Sequence, residues 1–534
     1  MSWLHGYEME YTDAMKKITH FGLLLATMFM AVYPVLAEVK LPPHFSDHMV
    51  LQRDRKVPIW GTAAPGEQVA VKFANQNKRS TADADGKWRV YLDPLTASVE
   101  SRVMTVSGST KNDEVRFADV LVGEVWLCSG QSNMDFTVAK TERYYFAGVI
   151  NEAAEVAAAT YPHIRMFTGQ SARRREPQAE VAGTWKITTP ANVREFSAIG
   201  YFFARELQKQ IKVPIGIITL TFGASTAQAW IRRETIATSP ELKPLLDKFD
   251  AEVKAYETDD AAREKHRQAL QAWEADATAA KAAGKSAPRR PRNPNPVEDQ
   301  HNPTVMYNGM IAPVVPYAIR GVLWYQGESI TGPRELFPRW NEMLITDWRE
   351  LWERNDLPFF FVQLAAHKAP AVEPGESSIA AVREMQATAL ALHHTGMAVT
   401  IDIGDEKDVH PHNKQDVGDR LARIAIAKIY GRKLEYAGPT YESMKVEGGA
   451  VRLKFSHVGG GLVAKGGPLK YFAIAGADKK FLWADAKIEG ESVVVSNPAV
   501  NAPLAVRYAW ADNPVGCNFY NVAGLPAAPF RTDK

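Results

Sequence analysis

Two clusters of residues, nearly three hundred positions apart, hold the means for acyl transfer. The first is Cys128-Ser129-Gly130-Gln131-Ser132-Asn133-Met134. An apolar run enters a glycine, then a serine, then residues able to open a helix. A serine in such a turn can aim its own backbone N–H at an oxyanion, and a helix start adds partial positive charge. The Gly-x-Ser-x-Gly elbow is incomplete, because Met134 stands at its last position. On spacing alone, a helix N-cap is the stronger reading of Ser132.

The second cluster is Asp402-Ile403-Gly404-Asp405-Glu406-Lys407-Asp408-Val409-His410-Pro411. Pro411 biases His410 toward an extended conformation. A serine hydroxyl needs a positioned base, and a histidine oriented by a carboxylate supplies one. The plain alternative is a solvated acidic loop. His410, His412 and nearby carboxylates also offer metal ligands, but no second cluster has ligand spacing, so no metal and no other cofactor is expected.

Two further sites sit at expected strand ends. Gly223, in Phe222-Gly223-Ala224, permits close backbone approach, and its N–H is a candidate oxyanion donor. In Leu323-Trp324-Tyr325-Gln326-Gly327-Glu328-Ser329, the Gln326 amide is a candidate for the same role. Glu328 and Asn133 are candidates for contact with substrate.

These residues need a scaffold that brings strand ends together. Residues 38–118 read as short antiparallel strands parted by Ala64-Pro65-Gly66 and Asp85-Gly86, a small sandwich. From 119 to 432 apolar runs alternate with helical stretches. Strands are expected at Val120 to Cys128, Ile215 to Phe222, Val322 to Tyr325, Phe359 to Leu364 and Ala398 to Ile403. Helices are expected at Phe196 to Lys212 and near 335–352 and 378–394. Such alternation implies α/β architecture with a parallel sheet covered on both faces, where ligands bind at the carboxyl ends of strands. Residues 235–300, rich in Ala, Lys, Glu and Asp, read as an inserted pair of helices, either solvated or a substrate lid. Residues 433–534 return to a β-rich pattern, a second sandwich-like domain.

The chain of 534 residues exceeds one compact core. A formal net charge of +2 carries no basic footprint for nucleic acid. Cys128 and Cys517 are the only cysteines, which excludes a disulfide-rich scaffold; they read as two buried free thiols, with a single bridge as the alternative. Lys16 and Lys17, the apolar run Phe21 to Val32, and Val35-Leu36-Ala37 have the layout of a signal peptide over residues 1–37, and Met15 is an alternative natural start. The mature chain is then expected to begin near Glu38, in a periplasm or outside the cell. No cysteine follows the expected cleavage point, which argues against a lipid anchor.

Gly-Gln-Ser-Asn-Met at 130–134, Trp-Tyr-Gln-Gly-Glu-Ser at 324–329 and Asp-Val-His-Pro at 408–411 together resemble the sialate O-acetylesterase family of the SGNH hydrolase superfamily. Phe45-Ser46-Asp47-His48-Met49-Val50-Leu51-Gln52, Tyr307-Asn308-Gly309-Met310-Ile311 and Gly524-Leu525-Pro526 extend the likeness over most of the chain. The resemblance implies a three-layer, flavodoxin-like catalytic domain and hydrolysis of carbohydrate O-acetyl esters through an acetyl-enzyme. Ser132 matches the nucleophile and His410 the base; Gly223 and Gln326 match the positions that complete the oxyanion hole with the Ser132 N–H. The superfamily's acid stands three residues before the histidine, where this chain has Lys407. Asp408 is the first candidate instead, with Asp405, or a backbone carbonyl, as alternatives. O-acetylated sialic acid is the first substrate expected, and an acetylated xylan or xyloglucan the second. A carbohydrate-binding protein with a dead site is the reading outside enzymes.

Overall fold

The computed structural model describes residues 38–533 apart from 110–112, 143 and 331–333, with only the backbone of residue 334. The expected signal peptide, 1–37, lies outside the described residues. Among them, no helix is long and apolar enough to cross a membrane.

The central sheet is built on the strand Glu114–Gly130, whose last eleven residues are all buried. Its neighbours follow the order Thr395–Ala398, Phe359–Val362, Gly321–Tyr325, Glu114–Gly130, Ile215–Thr221, Tyr161–Gly169, Gly183–Thr188. All pairings are parallel except that of the last two. Successive residues of the central strand feed two cores. Val125 and Leu127 join one, Trp126 and Cys128 the other. Helices Ala198–Ile211 and Lys414–Lys428 cover the Trp126 face, and Phe337–Leu351 covers the opposite one. This is a three-layer α/β arrangement. The chain leaves the central strand first toward one edge and later toward the other. Strands reverse direction of progress there, which opens a crevice at the carboxyl end of Glu114–Gly130.

Two boundaries and one pair of strands differ from expectation. The division at 118/119 falls inside one 17-residue strand. Its first part pairs antiparallel with Ser98–Ser107, and its second with the catalytic sheet, so no linker separates the two regions. The strand expected at Ala398 to Ile403 is Thr395–Ala398, because the Val399 carbonyl accepts from the Arg420 guanidinium instead of a ladder partner. Tyr161–Gly169 and Gly183–Thr188 were not among the expected strands.

The insertion contains helices Lys243–Thr258 and Asp260–Ala282. Leu246, Phe249 and Val253 bury the first, while the second has no buried residue. Beyond the last catalytic helix lie antiparallel sheets, the largest Thr440–Glu447, Ala450–Ser456, Ser492–Ser496, Asp485–Glu489 and Leu482–Trp483, Phe472–Ala475, Ala505–Tyr508, Phe530–Arg531. Cys128 and Cys517 are buried and unbridged.

Candidate active site

At the end of the central strand Gly130 has φ 132°, and a Cβ there would lie 2.1 Å from the Tyr325 carbonyl oxygen. Only glycine fits this combination of close approach and positive φ. The Gln131 N–H then donates to the same carbonyl at 2.9 Å, and a short helix, Ser132–Asp135, begins. Gln131 holds the N-cap position, which sets aside the capping role for Ser132. As the first helical residue, Ser132 has a backbone N–H with no partner inside the helix.

His410 Nε2 lies 2.9 Å from Ser132 Oγ. Its Nδ1 lies 3.2 Å from Asp408 Oδ1, which also accepts from the His410 backbone N–H at 2.8 Å. Asp405 is occupied elsewhere, accepting from the N–H groups of Lys407 and Asp408. Lys407 is exposed. His412 turns its Nδ1 to the Gly148 carbonyl. The Phe146 ring covers His410, with centroids 4.4 Å apart. Burial, and then the charge of Lys414, hold the imidazole below its ordinary value of 6.5 against the opposing pull of Asp408.

Gly223 follows Ile215–Thr221, and its Cβ position is 3.9 Å from the Ser132 Cβ, so its backbone borders Ser132. Gln326 differs from expectation. Its amide nitrogen donates to the carbonyls of Ser329, at 2.7 Å, and Ser225, at 3.3 Å, leaving no hydrogen for an oxyanion. It binds two loops together instead. Asn133 also differs. It is 1% exposed; Nδ2 donates to Glu328 Oε1 and, at 3.0 Å, to the Val409 carbonyl, while Oδ1 accepts from Lys414 Nζ at 2.6 Å. Both amide hydrogens are thus committed within the protein. Glu328 is held by Asn133 on one oxygen. Burial raises its carboxyl above the usual range despite the nearby ammonium of Lys414. With Gly327, Leu364 and Val409 it lines a cavity of about 220 Å³.

Two bracing residues escaped sequence reasoning. Gln131 Oε1 accepts from the N–H groups of Gly327, at 3.3 Å, and Ser329, at 3.2 Å. It fastens the serine turn to the loop after Gly321–Tyr325. Lys414 is fully buried behind Asn133. A lysine in the first turn of a helix, against the macrodipole, was the available signal.

Residues 297–427 match the family described as carbohydrate esterase, sialic acid-specific acetylesterase. The crystal structure of a carbohydrate acetylesterase from Xanthomonas citri is 36% identical, with a TM-score of 0.76 over 93% of this chain and 100% of that one. Sialate O-acetylesterase of Mus musculus is 26% identical, over 96% of this chain and 97% of its own length. The Homo sapiens protein of that name is 26% identical over 95% of each. A three-layer α/β fold carrying a serine–histidine pair, with these relatives, defines a carboxylic ester hydrolase. Within that class the chain belongs to the sialate O-acetylesterase family of carbohydrate esterases.

Proposed function

We propose that this esterase removes O-acetyl groups from carbohydrates through an acetyl-enzyme on Ser132. The 2.9 Å contact between His410 Nε2 and Ser132 Oγ carries the reading. His410 takes the hydroxyl proton as Oγ attacks the acetyl carbonyl. The N–H groups of Ser132 and Gly223 receive the oxyanion. Collapse of the tetrahedral intermediate breaks the ester C–O bond, and the imidazolium returns its proton to the departing sugar hydroxyl. Water, deprotonated by His410, then attacks the acetyl-enzyme; acetate leaves and Ser132 regains its proton. Asp408 orients the imidazole and offsets its positive charge.

The acetyl groups of sialic acids are the first substrate, on the strength of the vertebrate relatives matched along nearly their whole lengths. A neutral acetylated polysaccharide is the second, because the more similar Xanthomonas citri relative is described as a carbohydrate acetylesterase. The N-terminal sequence supports export, with the mature chain starting near Glu38.

Acetate release from O-acetylated sialic acid, acetylated xylan and acetylated xyloglucan tests the substrate. Turnover of the polysaccharides with none of the sialate overturns the first choice. Hydrolysis of an aryl acetate tests the chemistry: Ser132→Ala is expected to abolish it in a folded protein, and retained turnover removes the mechanism.

A further inference from the structure

Lys414 is an anomaly of placement. It is the first residue of helix Lys414–Lys428, where the helix dipole opposes a cation, and its side chain has no exposure. It does not cap the helix, since the Asn413 side chain accepts from Asp416 N–H at 3.1 Å. Burying an ammonium is costly unless it is compensated. The compensation is specific. Nζ donates to Asn133 Oδ1 at 2.6 Å and lies 4.5 Å from the Phe136 ring centroid and 5.7 Å from that of Tyr325.

Lysine only donates, so its ammonium fixes which way the Asn133 amide faces. Oδ1 must meet Lys414, and Nδ2 must then meet the two acceptors opposite, Glu328 Oε1 and the Val409 carbonyl. Three loops converge on this one amide: the serine turn, the loop after Gly321–Tyr325, and the loop that ends in His410. Asn133 follows Ser132, and Val409 precedes His410. The amide therefore ties the chain at the nucleophile to the chain at the base.

We propose that Lys414 is a positioning residue of the esterase: through Asn133 it locks the Ser132, Glu328 and His410 loops in one register, and it sets a positive charge within electrostatic reach of the imidazole. This inference rests on the Ser132–His410 mechanism. The ionisable groups bearing on Lys414 are Glu328, Asp408 and His410; those bearing on His410 are Asp408 and His412 on its own loop and Lys414 on the helix. Burial brings the Lys414 ammonium down to about 7, against the pull of Glu328 and Asp408. The cation disfavours a second positive charge on His410, so its removal favours the imidazolium.

The test is the pH profile of kcat/KM for an aryl acetate in wild type, Lys414→Met and Asn133→Ala. Lys414→Met is expected to lower kcat by about 10–10²-fold with KM little changed. Its acid limb is expected to move to higher pH, because an unopposed imidazole protonates sooner. A rate and limb both like wild type overturn the proposal, since a filler side chain would move neither. Asn133→Ala cuts the tie between the loops directly, and kcat is expected to fall. An unchanged kcat there overturns the locking role, and so keeps the proposal exposed if Lys414→Met does not fold. Ser132→Ala separates the two levels. If it is inactive and Lys414→Met behaves as wild type, only this inference fails; if it retains turnover, the underlying mechanism fails.

Discussion

Asp408 meets His410 twice with one carboxylate oxygen, at the backbone nitrogen (2.8 Å) and at ring Nδ1 (3.2 Å). The carboxylate and the imidazole are thus two residues apart on a single loop, with no second element needed to bring them together. The double contact fixes the ring's tautomer: with Nδ1–H turned to Asp408, Nε2 is left to accept from Ser132.

Removing that carboxylate should be costly but not fatal. Asp408→Ala is expected to lower kcat for an aryl acetate by about 10²–10³-fold, and His410→Ala by more. Asp405→Ala is expected to lose less than either, since Asp405 only shapes the turn before them. A ranking in which Asp405→Ala is the more damaging would reassign the acid.

The acid limb of wild-type activity should lie below pH 6.5. Burial and Lys414 depress the imidazole, so the free enzyme keeps a neutral base into mildly acidic solution. A kcat/KM profile whose acid limb sits at or above 6.5 contradicts this environment for His410.

Gly130→Ala should fail as a protein before it fails as an enzyme. The added methyl meets the Tyr325 carbonyl, a backbone atom in a paired strand, at a positive φ. A loss of at least about 2–3 kcal/mol is expected. Chemical denaturation measures it, and a midpoint like wild type contradicts the stated backbone path.

Stability itself should fall in acid through a group remote from the chemistry. His44 is fully buried among Phe45, Trp60 and Tyr317, neither ring nitrogen has a hydrogen-bond partner among the described residues, and burial brings its pKa to about 3. The folded chain keeps it neutral, whereas the unfolded chain protonates it near 6.5. Its contribution is therefore complete above pH 6.5 and is lost as pH falls toward 3. His44→Leu should flatten the dependence of Tm on pH across that window. An equally steep dependence in the variant would assign the acid sensitivity to other groups.

The convergence of Ser132, His410 and Asp408 was legible in the sequence because its signal is local. An apolar run gives the strand, and the residue types just beyond it give the chemistry at its carboxyl end. Gln326 and Asn133 were misassigned for a different reason. An amide can serve an oxyanion, a sugar or the protein itself, and the choice depends on which acceptors other loops bring near. Ser225, Ser329, Glu328 and Val409 make that choice here, from 3 to 276 positions away. Lys414 was missed because its burial is set by Phe136 and Tyr325, from distant elements. Tyr161–Gly169 escaped notice because only Ile164 to Phe167 are buried in succession.

The uninterrupted strand Glu114–Gly130 joins the amino-terminal region directly to the turn that holds Ser132. A shift of one residue in its pairing with Ser98–Ser107 would be carried along the same backbone to the turn holding Ser132, reversing which face each intervening side chain presents. Grafting the catalytic sheet onto a foreign leader region would therefore have to preserve this ladder, residue for residue, and not merely the sequence downstream of it.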